Sequence, residues 1–323
     1  MMKFLSKKNV TLMILVAGLS LGVTAGAQAQ KLVSPYRSNE SVRSDKFTGG
    51  RVERAEFVAG EGDIEITVDV PAFRLTLWQN GKEVKTYAVG VGQRDFPISI
   101  GEKQATEIIW NPDWIPPNSE WVTGRKGIKA GEVIRASDRR NPLGKVKIPL
   151  GGGYLIHQAA APTDLGNLVS HGCIRMLRTD LYDLTEKIVA ARSLPVSAQK
   201  IANAKRTKNT VVAKLEQPLM VDINYDTQVV EGGQLHLYPD VYDRGTNTVA
   251  ALRAELESSG VDASGVDNET LKAMMARVTA KQKYVVGVES ILAGRGLKDG
   301  RTLPLVGSPA RPRKAPAAKR RAA

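Results

Sequence analysis

The chain has 323 residues, a formal net charge of +13 and a single cysteine. This length is enough for one large domain with an appendage, or for two domains of roughly 150 residues each. The first 29 residues hold three of the excess positive charges and the last 13 hold six, which leaves +4 for the rest of the chain. Because the charge is concentrated at the ends, the composition argues against a general nucleic-acid-binding surface.

The N-terminus has the pattern of a secretory signal peptide over residues 1–29. Three lysines among the first eight residues precede an apolar stretch at 10–23, and Ala27-Gln28-Ala29 matches a small-x-small cleavage site. A membrane anchor is the alternative, but a glycine and a serine interrupt the apolar stretch, which is shorter than the roughly 20 residues that span a bilayer. We therefore expect cleavage after Ala29 and export to the periplasm or the cell wall.

Residues 30–62 form a polar leader, and ordered structure is predicted to begin near Asp63. The leader is rich in Ser, Arg and Gly and has no sustained apolar period, so we interpret it as flexible. From Asp63 onward, Ile and Val alternate with polar residues in DIEITVDVP, which is typical of a half-buried strand. Two more apolar runs are joined at Asn80-Gly81, a strong hairpin signal. The domain is therefore predicted to open with a β-meander.

The middle of the chain is predicted to consist of loops, one short strand and a helix. Residues 97–150 are rich in Pro, Gly and Asn, and NPDWIPPNSEW and RRNPLG within them are typical turn-forming segments. A buried strand is predicted over Tyr154–Gln158, with His157 near its end. The segment SHGCIRM follows at 170–176, and the helical spacing of apolar residues in TDLYDLTEKIVAAR then predicts a helix capped at Thr179.

The C-terminal part is predicted to contain strands, then helices, then a tail. Three β-like runs between Val211 and Tyr238 suggest that the sheet continues to about residue 245, and amphipathic helices are predicted near 249–258 and 269–283. The expected divisions are a main domain at 63–200, a β extension of it at 201–245, a helical appendage at 246–300 and a disordered basic tail at 301–323.

Cys173 is the residue best suited to covalent chemistry. An exported protein normally pairs its cysteines, and this thiol has no second cysteine in the chain to pair with. Reactivity requires the thiolate and therefore a base or a positive neighbour. His157 and His171 are the candidate bases, because a histidine that titrates near neutrality accepts a proton and later returns it to a leaving amine. The alternative is that Cys173 is an unreactive buried side chain.

Two neighbours of Cys173 suit the same chemistry. Gly172 allows the backbone N–H groups of residues 171–173 to turn toward one point, where they would hold an oxyanion. Arg175 is suited to a two-pronged contact with a carboxylate, although a purely structural arginine is an equal alternative.

A metal site is the competing interpretation of the same residues. His157, His171 and Cys173 would make a three-ligand zinc site with water as the fourth ligand. The short ligand spacings common in such sites and an H-E-x-x-H helix are both absent, so we predict no metal. His236 lies in the strand-like QLHLY and is interpreted as structural.

The segments IHQ and SHGCIRM together resemble the signature of the L,D-transpeptidase (YkuD-type) catalytic domain. VGVG at 89–92, PDWIPP at 112–117 and NPLG at 141–144 add to this resemblance. YPDVY at 238–242 resembles a segment that follows the domain in many exported members. The resemblance is close over 63–200, weaker over 201–245 and absent from 246–323.

The resemblance implies a mostly β fold, with curved sheets and a helix beside the active site. By position it implies Cys173 as nucleophile and His157 as general base and acid. Ser170, His171 and Gly172 then shape the loop and its backbone donors. Most members have Gly after the first histidine, whereas this chain has Gln158. The backbone carbonyl that orients the imidazole is retained despite this change. The Gln158 side chain is expected to narrow the substrate-binding site, to which Arg175 is also assigned. The usual Thr-Pro-x-Gly segment is altered to PISIG, which changes the expected loop geometry.

The family's substrates are peptidoglycan stem peptides, here expected to be of the meso-diaminopimelate type. The implied reaction passes through a cysteine thioester without a cofactor, and forms 3-3 crosslinks or attaches a protein, for example a lipoprotein, to the wall. Two alternatives stay open: an L,D-carboxypeptidase or hydrolase in which water is the acceptor, and an inactive wall-binding module. A further hypothesis is that the basic tail adds weak association with the anionic envelope.

Overall fold

The computed structural model describes residues 63–306. The predicted signal peptide at 1–29, the leader at 30–62 and most of the predicted tail, 307–323, lie outside these residues. The described part is mostly β, which confirms the fold class predicted from the sequence. Its strands are β1 (Ile64–Asp69), β2 (Arg74–Gln79), β3 (Lys82–Gly92), β4 (Gly101–Trp110), β5 (Val146–Pro149), β6 (Leu155–Gln158), β7 (Leu168–Ser170), β8 (Ile174–Met176), β9 (Val211–Asn224), β10 (Gln228–Glu231), β11 (Gln234–Leu237), β12 (Gln282–Gly287) and β13 (Arg301–Pro304). Its helices are α1 (Glu120–Thr123), α2 (Arg178–Ala191), α3 (Ala198–Arg206), α4 (Val249–Ser258), α5 (Asn268–Met275), α6 (Val288–Leu292) and α7 (Gly296–Asp299).

Nine of the described strands form one sheet that closes on itself. Their order is β2-β1-β9-β4-β5-β6-β8-β3-β7, and β2 also pairs with β3. This additional pairing joins the first strand of the order to the last but one, so the sheet curves into a ring around a hydrophobic core. The curved β-sheet expected for this segment is therefore present, and β9 belongs to it.

The predicted hairpin at Asn80-Gly81 is confirmed. β2 and β3 are antiparallel, and Gln79 pairs with Lys82 on either side of the turn. Asn80 has φ +49° and Gly81 has φ +75°. A two-residue turn with both φ angles positive matches the twist of the flanking strands, which is why this dipeptide is so informative.

The prediction of loops throughout 97–150 is wrong, because β4 and β5 lie within this range. β4 pairs with β9 along its whole length, with a register shift between Ala105 and Glu107. The buried side chains of β4 are Ala105, Ile108 and Trp110, so the shift breaks the two-residue alternation that marks a strand in a sequence.

Residues 111–145, called here the 111–145 loop, form an irregular excursion with a small core of their own. Trp114 and Ile134 exchange backbone hydrogen bonds of 2.8 Å in both directions. Their side chains are buried together with Leu143. Both predicted turn-forming segments lie in this loop. Trp121, a residue of the loop, packs against its small core.

The helix predicted after SHGCIRM is α2, and its start differs from the prediction. Leu177 occupies the N-cap position without a side-chain hydrogen bond, so Thr179 lies inside the helix. Leu181, Leu184 and Ile188 are fully buried, and α2 packs against β5 and β6. A helix therefore supports the strand that carries His157.

The C-terminal appendage contains a second sheet, which corrects the predicted division there. β10, β11, β12 and β13 form an antiparallel sheet separate from the main one, and its core includes Leu235, Leu252, Leu271 and Tyr284. Hence β10 and β11 do not extend the main sheet, β12 lies in the region predicted to be helical, and β13 lies in the predicted tail. The predicted helix at 249–258 is confirmed as α4, whereas α5 ends at Met275. No helix within residues 63–306 is long and apolar enough to cross a bilayer.

Candidate active site

The two halves of the predicted site lie on neighbouring strands. β6 and β8 are parallel, and their register pairs His157 with Arg175. Cys173 immediately precedes β8, two residues before Arg175. Because paired residues of neighbouring strands point to the same face, this register directs His157 and Arg175 toward one face. The charge of Arg175 acts on both His157 and the Cys173 thiol. The N–H of Leu155, at the start of β6, lies beside the Cys173 thiol.

The Cys173 side chain is half-buried, and it is the free cysteine of the site. Burial raises the pKa of the Cys173 thiol above its ordinary value. The Leu155 N–H and the positive charge of Arg175 act in the opposite direction, because both favour the thiolate. The thiol is therefore protonated at neutral pH in the free protein, and Leu155 and Arg175 are placed to stabilise negative charge when the proton leaves.

His157 is almost completely buried, with 3% of its surface exposed. Burial lowers its pKa to about 3, and the charge of Arg175 acts in the same direction. The backbone of Leu143 and of Gln158 is close enough to the ring to raise the pKa partly, although Nδ1 has no well-formed hydrogen bond. The ring is therefore a neutral imidazole throughout the physiological range, which is the form that accepts a proton.

Arg175 is a partly buried cation whose charge acts on both groups. Its Nη1 lies 3.9 Å from Oδ2 of Asp164, and the same Asp164 oxygen accepts a 2.8 Å hydrogen bond from the Ala160 N–H. Nε of Arg175 is buried without a hydrogen-bond partner. Asp164 thus orients the guanidinium but leaves part of its donor capacity unused. The binding of a substrate carboxylate by Arg175 stays a prediction.

The loop before Cys173 is a tight turn held by Ser170. Ser170 is buried, and its Oγ donates a 2.5 Å hydrogen bond to the Cys173 carbonyl. Gly172 has φ +102°, and a Cβ at this position would lie 2.8 Å from Cε1 of Tyr154. Both the backbone angle and the contact with the Tyr154 ring therefore require glycine. The proposed oxyanion donors of this turn remain a prediction.

The ring of His171 does not share the position of His157. It is exposed and stacks on Trp121, with ring centroids 4.3 Å apart and an interplanar angle of 14°. Phe96 contacts the same ring at a centroid distance of 4.7 Å. Burial and the charges of Arg125 and Arg175 lower the pKa of His171. His171 therefore connects the Cys173 turn to the 111–145 loop.

Gln158 is the predicted site residue that the structure does not bring to the face of His157. Its Oε1 accepts a 3.0 Å hydrogen bond from the Lys145 N–H. Its side chain lies against Gly144, where a Cβ would come within 2.6 Å of it. The Gln158 side chain thus holds the end of the 111–145 loop, and its predicted contact with substrate has no structural support.

The sequence interpretation missed three residues that support the site. Trp121 stacks on His171, Tyr154 covers Gly172, and Asp164 pairs with Arg175. The sequence could have indicated a role for Trp121, because an aromatic side chain in a Pro-rich loop is seldom needed to form the loop itself. The other two contacts join segments distant in sequence and have no local signal.

The described residues contain no cluster suited to a metal ion. No group of three or more His, Cys, Asp or Glu side chains in 63–306 is arranged to hold one. His236, the remaining histidine, stacks on Tyr238, and its Nδ1 lies 3.2 Å from Nζ of Lys283. Burial lowers the pKa of His236 to about 4. This is the environment of a side chain packed within the second sheet, where His236 lies on β11.

Comparison with known proteins finds similarity to one family over part of the chain. Residues 63–211 match YkuD, the L,D-transpeptidase catalytic domain. The probable L,D-transpeptidase YcfS of Escherichia coli strain K12 is 27% identical over 177 residues, which cover 51% of this chain and 53% of YcfS. The probable L,D-transpeptidase ErfK/SrfK of the same strain is 27% identical over 165 residues, which cover 48% of this chain and 50% of that protein. Residues 63–211 are thus similar to the L,D-transpeptidase catalytic domain of the YkuD family.

The chain spans about half the length of these curated relatives. Among solved structures, the catalytic domain of the E. faecium L,D-transpeptidase aligns with 16% identity and a TM-score of 0.33, covering 51% of this chain and 98% of that domain. The family match contains the Cys173 turn and both neighbouring strands, and it does not extend to the appendage.

Proposed function

We propose that the protein is an exported L,D-transpeptidase that acts on peptidoglycan stem peptides through a thioester on Cys173. The observation that carries this proposal is the pairing of β6 with β8, which brings the segments around His157 and Cys173 together within a matched YkuD domain. The substrate is a stem of the meso-diaminopimelate type, and the acceptor is the side-chain amine of a second stem or of a wall-anchored protein such as a lipoprotein.

The first half of the reaction forms the thioester. The Cys173 sulfur attacks the carbonyl of the third stem residue while the thiol proton passes to His157. The Leu155 N–H and Arg175 stabilise the negative charge on sulfur before the new bond forms, and the backbone donors around Gly172 bind the resulting oxyanion. The tetrahedral intermediate collapses when the carbon–nitrogen bond to D-alanine breaks and His157 returns its proton to the departing amine.

The second half transfers the acyl group to the acceptor. An acceptor amine attacks the thioester, His157 takes its proton, and the thiol of Cys173 is regenerated with that proton. The thioester preserves the energy of the peptide bond that was broken, so a compartment without ATP can supply the new bond. No cofactor takes part in this sequence. Export to the periplasm or wall rests on the N-terminal 29 residues.

Both resting protonation states argue against a preformed thiolate–imidazolium pair in the free protein. A protonated thiol beside a neutral imidazole transfers its proton during attack, whereas a preformed ion pair would already hold the thiolate. The raised pKa of Cys173 and the pKa of about 3 for His157 favour the first arrangement. His171, stacked on Trp121, acts as a supporting group.

The test is the mass of the intact protein after incubation with a tetrapeptide stem. We expect an adduct equal to the stem without D-alanine, which is absent from Cys173→Ala. His157→Ala should slow adduct formation by about a hundredfold or more, as expected when a general base is lost, and His171→Ala should slow it less. An unmodified wild-type protein, or a larger effect of His171→Ala, would overturn the assignment.

The products separate transfer from hydrolysis. Muropeptides made with an acceptor amine present should contain a new amide bond between two third residues, or between a stem and the added amine. If only the shortened stem appears at every acceptor concentration, water is the acceptor and the protein is an L,D-carboxypeptidase. If neither product forms, the wall-binding interpretation replaces both.

A further inference from the structure

A positively charged cleft lies in the 111–145 loop, beside the candidate active site. It has a volume of about 480 Å³. Its lining residues are Arg125, Lys126, Ile128, Arg139, Arg140 and Pro142. Four of these six side chains are cationic and none is acidic, so an anionic group is the ligand that this cleft is suited to bind.

Only Arg140 among these cations is neutralised by carboxylates. Its Nη2 lies 2.7 Å from Oδ2 of Asp138, and its Nη1 lies 3.3 Å from Oε1 of Glu132. Within residues 63–306, Arg125, Lys126 and Arg139 form no ion pair, and all three are exposed. The cleft therefore keeps uncompensated positive charge, whereas Arg140 serves to hold its wall in place.

The cleft is connected to the Cys173 turn by stacked side chains. The Arg125 guanidinium lies over the Trp121 ring, 5.9 Å from its centroid, and Trp121 stacks on His171. The charge of Arg125 lowers the pKa of both His171 and Arg175. An anion bound in the cleft would thus lie next to the reacting centre and within reach of the same electrostatic field.

We propose that this cleft binds a carboxylate of a peptide stem and so positions the stem beside Cys173. The inference rests on the proposed function, since it takes the stem peptide as the substrate. A tetrapeptide stem carries free carboxylates on its γ-linked glutamate, its diaminopimelate residue and its terminal D-alanine. We assign the cleft to the glutamate or diaminopimelate carboxylate, because D-alanine leaves in the reaction; the amine that reacts is a separate group. Arginine side chains match the shape of a carboxylate, and lysine adds a mobile charge. The carboxylate comes from the donor or from the acceptor stem, two sources with the same chemistry.

The test measures binding apart from reaction, in the Cys173→Ala protein. Lys126→Glu/Arg139→Glu reverses two charges of the cleft, and Lys129→Glu reverses an exposed charge in the same loop that does not line it. We expect the double variant to bind a tetrapeptide stem about tenfold more weakly by calorimetry at low salt. The difference should shrink at high salt because the interaction is electrostatic. Lys129→Glu should bind like the parent.

Chemically altered stems identify the bound group. A stem with its glutamate and diaminopimelate carboxylates amidated should bind the parent and the double variant equally. Amidating only the donor, and then only the acceptor, in turnover assays of the reactive protein shows which stem uses the cleft. Lys126→Gln/Arg139→Gln repeats the comparison without introducing new charge, and thermal unfolding reports whether each variant is folded.

Equal binding by the double variants and the Lys129→Glu control would overturn the proposal. So would an equal loss of affinity for the amidated stem. Failure of the cleft proposal can be distinguished from failure of the proposed function. If the reactive protein forms a thioester and the cleft variants bind normally, the cleft proposal alone fails. If no thioester forms but the cleft variants lose affinity, the catalytic proposal alone fails.

Discussion

His157 lies directly opposite Arg175 in the parallel pairing of β6 with β8. The guanidinium therefore acts on three groups of the site, and its charge lowers the pKa of His157, of His171 and of the Cys173 thiol. For the histidines this charge strengthens the effect of burial, whereas for Cys173 it opposes burial. Burial and this one arginine thus keep the His157 ring neutral, while the arginine makes the Cys173 thiol more acidic than burial alone would allow.

The first prediction concerns this arginine. Arg175→Gln removes the charge that favours the thiolate, so the pKa of Cys173 should rise further. The rate of iodoacetamide alkylation at neutral pH should fall, and its dependence on pH should move to higher pH. Arg175→Lys keeps the charge and should recover most of the original profile. The measurement is the alkylation rate across a pH series, followed by intact mass.

Two controls separate charge from folding in this experiment. Arg178→Gln removes an exposed charge at the start of α2 and should leave the alkylation profile unchanged. Because Arg175→Gln leaves Asp164 without its cation, Asp164→Asn/Arg175→Gln should show the same change in profile with better stability. An unchanged profile in both Arg175→Gln proteins would contradict the role given to the guanidinium.

The second prediction is a loss of stability at acid pH caused by His157. Its pKa in the folded protein is about 3, whereas the ordinary value is 6.5. As pH falls below the ordinary value, the unfolded chain binds a proton that the folded site refuses. The free energy of unfolding should therefore fall by at most about 1.4 kcal/mol per pH unit for this histidine. The loss begins near the ordinary pKa and continues down to the folded value.

Denaturant unfolding of wild type and His157→Gln across this range measures the effect. The variant lacks the titrating ring, so its stability should depend less steeply on pH, even if it is less stable at neutral pH. His171→Gln is the matched control, because His171 is exposed, and it should change the slope only slightly. Equal slopes for wild type and His157→Gln would show that the ring is not held neutral.

The third prediction concerns the turn at Gly172. Gly172→Ala places a Cβ at a φ of +102° and 2.8 Å from the Tyr154 ring. The positive φ alone costs about 1 kcal/mol for an L residue, and the contact displaces Cys173. Acylation by a tetrapeptide stem should slow by about a hundredfold, as a small misplacement of reacting groups does.

Gly151→Ala is the control for the backbone effect of this substitution. Gly151 has φ +78° and no atom within 4 Å of a built Cβ, so its replacement should lower the melting temperature without slowing acylation. Adding Tyr154→Ala to Gly172→Ala should recover part of the stability, because the ring contact is then gone. Full activity of Gly172→Ala would contradict the requirement for glycine.

The sequence predicts best the features that depend on neighbouring residues. Asn80-Gly81 specifies its turn because both residues accept positive φ, and α2 follows from apolar residues that return every three or four positions. IHQ and SHGCIRM locate the site for a similar reason, since each segment is short and contiguous. Their distance apart in space is a different property, and it depends on the pairing of β6 with β8.

The missed features depend on pairing between distant segments. β4 escapes recognition because its register against β9 shifts between Ala105 and Glu107. β12 and β13 gain their strand character from pairing in the appendage sheet. The role of Gln158 is also set at a distance, since its partner Lys145 lies in the 111–145 loop. A pattern read along the chain contains none of these partners.

The last prediction concerns Tyr242, in the segment YPDVY. Its hydroxyl donates a 3.1 Å hydrogen bond to the Gly92 carbonyl and accepts a 3.4 Å hydrogen bond from the Ile98 N–H. A Cβ on Gly92 would lie 3.0 Å from the Cα of Gly172, so the segment that Tyr242 holds packs directly behind the Cys173 turn. Tyr242→Phe should therefore slow acylation by a tetrapeptide stem, as well as lower the stability by about 1 kcal/mol.

Tyr225→Phe distinguishes this positioning effect from a general loss of stability. The Tyr225 hydroxyl donates a 2.6 Å hydrogen bond to Asp240 and accepts one from the Tyr242 N–H, whereas the hydrogen bonds to Gly92 and Ile98 are made by Tyr242. Both variants should lose similar stability in thermal unfolding, whereas only Tyr242→Phe should slow the appearance of the acyl adduct in time-resolved mass measurements. If the two variants slow acylation equally, the hydroxyl of Tyr242 stabilises the fold without positioning the turn, and the link between YPDVY and Cys173 is lost.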